Sequence, residues 1–372
     1  MKKISVLLII VLLLSAFAGC KPNDAPAGST AAPAESTAAP AESTAPAGST
    51  AAPAESTAAP AESTAAPVES KPEPTGDGGV HPMLFHVTAP NGTEGYLFGT
   101  IHVGDERIRE ALAKVTPYVD ECGALAVEFD IVAYEKDLAA QMASMKQFIL
   151  SDGTTVDQHM PQELFTRASA LLDEAGLMPS LTKIYNLAMW AQLVEQAALK
   201  THTDLSMEIG MDRSLIEHCY DKKIEVRDVE SPELQYGLLA GFSDELNLLL
   251  IENTLDNLDE YKESIHSLYD AWLDGNYDNL VAVLEAENED TEDLTEEQIA
   301  LLEDYNDQLL TQRNLGMRDK ALQWLEAGDK VFFAVGAAHL VGEDGLAELL
   351  RAAGCTVEQV EYKKCFICKM FK

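Results

Sequence analysis

Val331 to Gly345, VFFAVGAAHLVGEDG, decides how the rest of the chain is read. Val331, Phe332, Phe333, Ala334 and Val335 run apolar without alternation into Gly336, the pattern of a strand buried on both faces. Gly336, Ala337 and Ala338 are small enough for backbone or a ligand to come close. The first polar side chain after them is His339. An imidazole at the mouth of a buried strand is costly unless it has a partner. Glu343 and Asp344 then lead, through Gly345, into a helix-like run, LAELLRAAG.

The same step occurs near the other end of the folded region. Tyr96 to Asp105 reads YLFGTIHVGD, an apolar run followed by Gly99-x-x-His102. Between the two lies Ala124 to Asp130, ALAVEFD, a short buried-strand run that ends on Glu128 and Asp130. Three predicted central strands therefore each finish with an ionisable group. In an open α/β sheet, ligands collect in the crevice beyond the strand ends. His102, Glu128 and His339 are expected to meet there, although they are far apart in sequence. The plainer alternative is that each histidine bonds strand-end backbone and Glu128 pairs with Arg313 or another base.

Working outward, the folded part starts near Val80. Met83 to Val87 and Tyr96 to Thr100 read as strands joined by the turn Ala89-Pro90-Asn91-Gly92. Glu106 to Glu121 reads as a helix. After ALAVEFD the pattern turns helical: Tyr134 to Phe148 is amphipathic, Pro161 opens a helix that Gly176 caps, and Ser180 caps one running to Lys200. This block reads as a helical insertion or cap outside the sheet. Glu208 to Tyr220 leads by helix into the strand-like Lys223 to Val229. Ser231-Pro232-Glu233 opens further helices to about Glu285, and Ala286 to Gln298 is an acidic, solvated linker. A helix from Glu303 to Ala327, ended by Gly328, returns to the VFFAVGAAH strand. The fold class expected is α/β: a central mostly parallel or mixed sheet with flanking helices and a large helical insertion.

Residues 1–20 read as an export signal, with Lys2 and Lys3 ahead of a short apolar run. Residues 21–78 repeat AAPAEST and lack large apolar side chains, so they are expected to form a disordered, partly polyproline tether. Such a tether reaches roughly 180 Å when extended or roughly 45 Å as a coil. The domain then occupies residues 79–372. The chain carries a formal net charge of -36, from 26 basic and 62 acidic side chains. That excess repels phosphate backbones, which excludes nucleic acid as a partner and favours divalent cations and basic peptides. Of the six cysteines, setting Cys20 aside leaves five, an odd number that is not a disulfide framework. Cys365-Phe-Ile-Cys368 reads as a local disulfide or a ragged end, with no second pair for zinc.

Phe17-Ala18-Gly19-Cys20 resembles a bacterial lipobox, which implies lipidation of Cys20 and an extracytoplasmic, membrane-anchored protein. LFGTIHVGD, GMDRSL, AWLDGNYDNL, QRN at Gln312 to Asn314 and FFAVGAAHLVGEDGL together resemble the TraB/GumN family, related to the Tiki proteases, over about Pro82 to Val360. The resemblance implies a fold similar to erythromycin esterase and ChaN-like proteins, and metal-dependent peptide cleavage at a membrane surface. It carries the motif histidines onto His102 and His339, the motif glutamate onto Glu128, a family arginine onto Arg313, and the GMD aspartate onto Asp212, where a supporting role is expected. Imidazole and carboxylate suit a divalent ion such as Mn, Co, Fe or Zn. A carboxylate can take the proton from an ion-activated water, so the residues alone leave Glu128 as ligand or as base. No His-Glu-x-x-His helix is present, so the protein is not a zincin. The expected function is a surface-anchored metal-dependent peptidase; the alternative is a non-catalytic lipoprotein that binds a peptide, a metal or a haem-like ligand.

Overall fold

Apolar, β-branched and aromatic runs bounded by turn residues give six strands in one mixed sheet, ordered β4-β3-β5-β2-β1-β6. The computed structural model describes residues 79–288 and 294–362. The leader with Cys20, the tether, the middle of the acidic linker and the Cys365–Cys368 step lie outside the described residues.

β1 (Leu84–Thr88) and β2 (Glu94–Thr100) form the expected antiparallel hairpin. Gly92 supplies the positive φ of its turn, and Asn91 Oδ1 accepts from the Thr93 N–H. α1 (Ile108–Val119) carries the chain to β3 (Ala124–Val127). A helical block that ends with the helix Met211–Lys222 precedes β4 (Glu225–Asp228), and a second helical stretch precedes β5 (Val331–Gly336). β4, β3, β5 and β2 run parallel, while β1 and β6 (Thr356–Gln359) are antiparallel additions at one edge. Successive residues of β5 serve opposite faces. Phe332 meets the rings of Tyr96 and Phe98, while Phe333 meets Trp324 on the other side. This is why its run shows no alternation.

The helical block comprises α2 (Ile131–Tyr134), α3 (Leu138–Lys146), α4 (Gln162–Glu174), α5 (Pro179–Thr182), α6 (Leu187–His202) and α7 (Met211–Lys222). The second stretch comprises α8 (Pro232–Gly241), α9 (Asp244–Asp256), α10 (Leu258–Asp274), α11 (Tyr277–Asn288), α12 (Glu296–Asn306) and α13 (Gln312–Glu326). α14 (Leu346–Ala352) joins β5 to β6. Among the described residues no helix is long and apolar enough to cross a membrane.

Several boundaries differ from expectation, each for a local reason. Tyr134 to Phe148 is not one amphipathic helix, because the Asp137 carboxylate caps a new start by accepting from Ala139 and Ala140 N–H groups. α3 leaves Leu138 and Met142 exposed. Ser180 to Lys200 is likewise broken, since the Asn186 side chain accepts from Met189 N–H and starts α6 there. Leu181 and Ile184, ahead of that new start, are exposed. The acidic linker is shorter than expected: α11 runs into it, and a Thr295–Gln298 capping box starts α12 early. Asp130 is not a strand end; its carboxylate caps α2.

One buried acid sits in the helical stretch, away from the strand ends. Glu195 of α6 is 3% exposed and accepts from Tyr261 Oη at 2.5 Å and Thr254 Oγ1 at 3.2 Å. Burial outweighs these bonds and pushes its carboxyl up to about 7. Between the ordinary carboxyl range and about 7, the folded chain holds a proton that the unfolded chain has released. Stability is therefore fully present at acid pH and falls as pH rises through about 7, by about 3 kcal/mol. Urea unfolding at pH 5 and pH 8 checks this: Glu195→Gln should remove that part of the pH dependence and be the more stable form at pH 8. The same pH dependence in both proteins would contradict it.

Candidate functional site

Strand register brings the three motif side chains level. Thr100 of β2 stands opposite Gly336 of β5, and Val127 of β3 opposite Ala334. All three strands run the same way, so Glu128, His102 and His339 emerge from adjacent strand ends. Gly336 marks their meeting point. A Cβ built there would stand 3.3 Å from Glu128 Oε1, 3.6 Å from His339 Cδ2 and 3.8 Å from His102 Nε2. His339 Nε2 lies 3.9 Å from Glu128 Oε1.

His102 is held from α7. Asp212 Oδ2 lies 2.8 Å from His102 Nδ1, and its other oxygen accepts from Thr100 Oγ1 at 2.5 Å. The Gly-Met-Asp step explains itself here. Gly210 packs so close that a Cβ would meet the His102 carbonyl oxygen at 2.6 Å, and Met211 N–H donates to Ile101 O. Asp212 thus supports His102, as expected.

Glu128 sits in a buried network. Its Oε1 accepts from Gly336 N–H at 2.9 Å; its Oε2 accepts from Gln235 Nε2 at 2.8 Å and from Arg313 Nη2 at 2.6 Å. The same two donors also reach Glu230 Oε2, at 2.8 and 2.7 Å. Glu230 arrives because the ladder continues past β4: Val229 N–H donates to Val127 O and Glu230 N–H to Glu128 O. Arg313 therefore pairs with Glu128, as the plainer alternative supposed, while Glu128 Oε1 also stands 3.9 Å from His339 Nε2.

Arg313 and its neighbour Asn314 lie just after a π-helical turn, Asp307–Thr311, between α12 and α13. Such turns shift the register of a helix. Here the Leu309 carbonyl accepts from Arg313 Nη1, and Asn314 reaches His339, with Oδ1 2.7 Å from Nδ1. Asn314 Nδ2 donates to Asp344 O at 2.8 Å.

The environments of the two rings push apart. Burial, then the Arg313 charge, lowers His339 to about 3, so the ring is neutral. Burial also works against a charge on His102, but Asp212 outweighs it and raises the ring above the ordinary imidazole value. For Glu128, burial is outweighed by Arg313, with the imidazoles and the Gly336 N–H, which hold the carboxyl well below the usual carboxylate range.

Two observations bear on whether these residues suit an ion. His102 Nε2 and His339 Nε2 are closed off from solvent and bond to nothing. Glu128 and Glu230 share the single guanidinium of Arg313, and Asp212 pairs with His102, so the carboxylates outnumber the cations even when His102 carries its charge. Unpaired buried acceptors beside excess negative charge fit a divalent cation. Among the described residues, as the side chains stand, no group of three or more His, Cys, Asp or Glu is placed to hold a metal ion.

Glu230 and Gln235 were missed by sequence reasoning. Glu230 had a signal: Lys223 to Glu230 ends on acids after a strand, as ALAVEFD does. Gln235, in the first turns of α8, had none. The other histidines serve locally; His218 contacts Asp120 and His266 contacts Asp204. Cys122, Cys219 and Cys355 are buried free thiols.

The comparisons with known proteins agree with the family resemblance. The TraB/PrgY/gumN family matches residues 83–359. "Uncharacterized protein YbaP" of Shigella flexneri is 26% identical over 265 residues, covering 71% of this chain and 90% of that protein. The protein of the same name from Escherichia coli (strain K12) matches to the same extent. No solved structure matches. The chain belongs to the TraB/PrgY/gumN family.

Proposed function

We propose that this protein is a metal-dependent hydrolase of extracytoplasmic peptides, carried on a membrane by a lipid on Cys20 and a tether over residues 21–78. We further propose kinship of its fold with erythromycin esterase and ChaN-like proteins, a reading supported by the parallel core and the strand-end crevice. The observation that carries the activity is the pair of unpartnered ring nitrogens: His339 Nε2 stands 3.9 Å from Glu128 Oε1, and His102 Nε2 and that oxygen both line the space beside Gly336. His102, His339 and Glu128 would hold a divalent ion such as Mn, Co, Fe or Zn. Bound there, the ion would polarise a peptide carbonyl and make its water a nucleophile at neutral pH.

The chain's own residues divide the remaining work. Glu128 is too strongly stabilised as a carboxylate to be a good proton acceptor, which favours the ligand role over the base. Gln235 and Arg313 occupy its Oε2, so only Oε1 faces the histidines. Asp212, anchored by Thr100, orients His102. Approach is from the His102 side: His102 and Asp212 side chains are 21% and 17% exposed, against 2% for His339 and 6% for Arg313. That closure also favours a second reading, a protein that binds a metal, peptide or haem-like ligand in the same crevice without turnover.

Elemental analysis of the wild type should find a stoichiometric transition metal that His102→Ala/His339→Ala lacks while remaining folded. The hydrolase reading adds peptide cleavage that chelator abolishes; saturable binding with no cleavage would support the second reading, and a metal-free wild type under metal-replete conditions would contradict the site. A separate outcome concerns Arg313. Removing one partner of a buried ionic network costs about 3–5 kcal/mol. Arg313→Met should therefore lose about that much stability in urea unfolding, and Arg313→Met/Glu230→Gln should recover part of it. A loss below about 1 kcal/mol would show that Arg313 does not balance the buried carboxylates.

A further inference from the structure

We infer that Asn314 is a positioning residue that fixes the proton of His339 on Nδ1 and so leaves Nε2 as a bare acceptor in the crevice. This deepens the ion-site reading and rests on it for its purpose, while its geometry stands alone.

Asn314 is 2% exposed, so no solvent completes its bonding. One end of the amide lies 2.8 Å from the Asp344 carbonyl oxygen. That end must be the NH2 group, because an oxygen there would set two acceptors against each other. The other end, 2.7 Å from His339 Nδ1, is then the amide oxygen. An oxygen only accepts, so Nδ1 carries the hydrogen. A neutral imidazole holds a single N–H, so a hydrogen fixed on Nδ1 leaves Nε2 with its lone pair. A backbone carbonyl thus sets the amide and the amide sets the tautomer.

The consequence appears at the other nitrogen. His339 Nε2 has no hydrogen-bond partner and stands 3.9 Å from Glu128 Oε1, beyond hydrogen-bond reach. Two acceptors facing each other leave room only for something electropositive between them. Histidine ligands usually donate their second ring N–H to an oxygen acceptor, and losing that acceptor weakens metal binding 10- to 100-fold. Asn314 supplies that oxygen for His339, and the π-helical turn before α13 brings it there beside Arg313.

The test uses the full chain labelled with ring-15N histidine, stripped with chelator, at neutral pH. Two-bond proton–nitrogen correlations report which ring nitrogen carries hydrogen, and His339→Gln assigns the signal. In the wild type, His339 should be protonated on Nδ1 and bare on Nε2. Asn314→Ala should shift the proton towards Nε2 and weaken Co(II) affinity roughly 10- to 100-fold. Asn314→Asp keeps an oxygen for Nδ1 but sets its second oxygen against the Asp344 carbonyl, so it should hold the proton on Nδ1 while lowering the unfolding midpoint in urea. A proton on Nε2 in the wild type would overturn the inference even if Asn314→Ala fails to fold, and so would an unchanged pattern in a folded Asn314→Ala. A locked Nδ1 proton in a wild type that binds no Co(II) would instead count against the ion site alone.

Discussion

Arg313 stands between two buried carboxylates, and the geometry of the crevice follows from that placement. Its Nη2 reaches Glu128 and Glu230 together, at 2.6 and 2.7 Å. Those acids terminate neighbouring strands, so without a cation between them their like charges could not both persist in a dry site. The guanidinium also ties α13 to the ends of β3 and β4. Because Asn314 is the next residue, the same tie brings an amide to His339. A buried ionic network is a poor source of stability compared with a well-packed apolar core. Its effect here is to fix the direction in which Glu128 presents Oε1, the oxygen that accepts from Gly336 N–H and lies nearest His339.

Close approach of backbones is the second requirement. Gly336 leaves open the space into which Glu128, His102 and His339 point, and Gly210 lets α7 start against the His102 carbonyl. Gly99 is similarly crowded by Ala337. The strands supply the three convergent side chains, whereas the helices supply what orients them: Asp212 from α7, Gln235 from α8, Arg313 and Asn314 from α13. The helical block is therefore part of the site's construction.

Much of this was legible in the amino-acid order. Buried strands announce themselves by unbroken apolar runs, and parallel register then forces residues just past their ends into one crevice. That reasoning located His102, Glu128 and His339 from short stretches. Helix boundaries were less legible, because single capping side chains such as Asp137, Asn186 and Thr295 override a long apolar pattern. β6 was not foreseen, since its four residues bury only Val357. The π-helical turn left no mark in hydrophobic spacing. Asn314 was visible only as part of the QRN step, and its bond to a distant carbonyl depends on tertiary structure.

The central claim is that two imidazoles and one carboxylate oxygen share an ion. Anomalous diffraction from crystals grown with Mn(II) addresses it most directly. The account predicts a single strong peak over Gly336, within bonding distance of His102 Nε2, His339 Nε2 and Glu128. An empty crevice at saturating Mn(II), or a peak bound only by surface carboxylates, would contradict it.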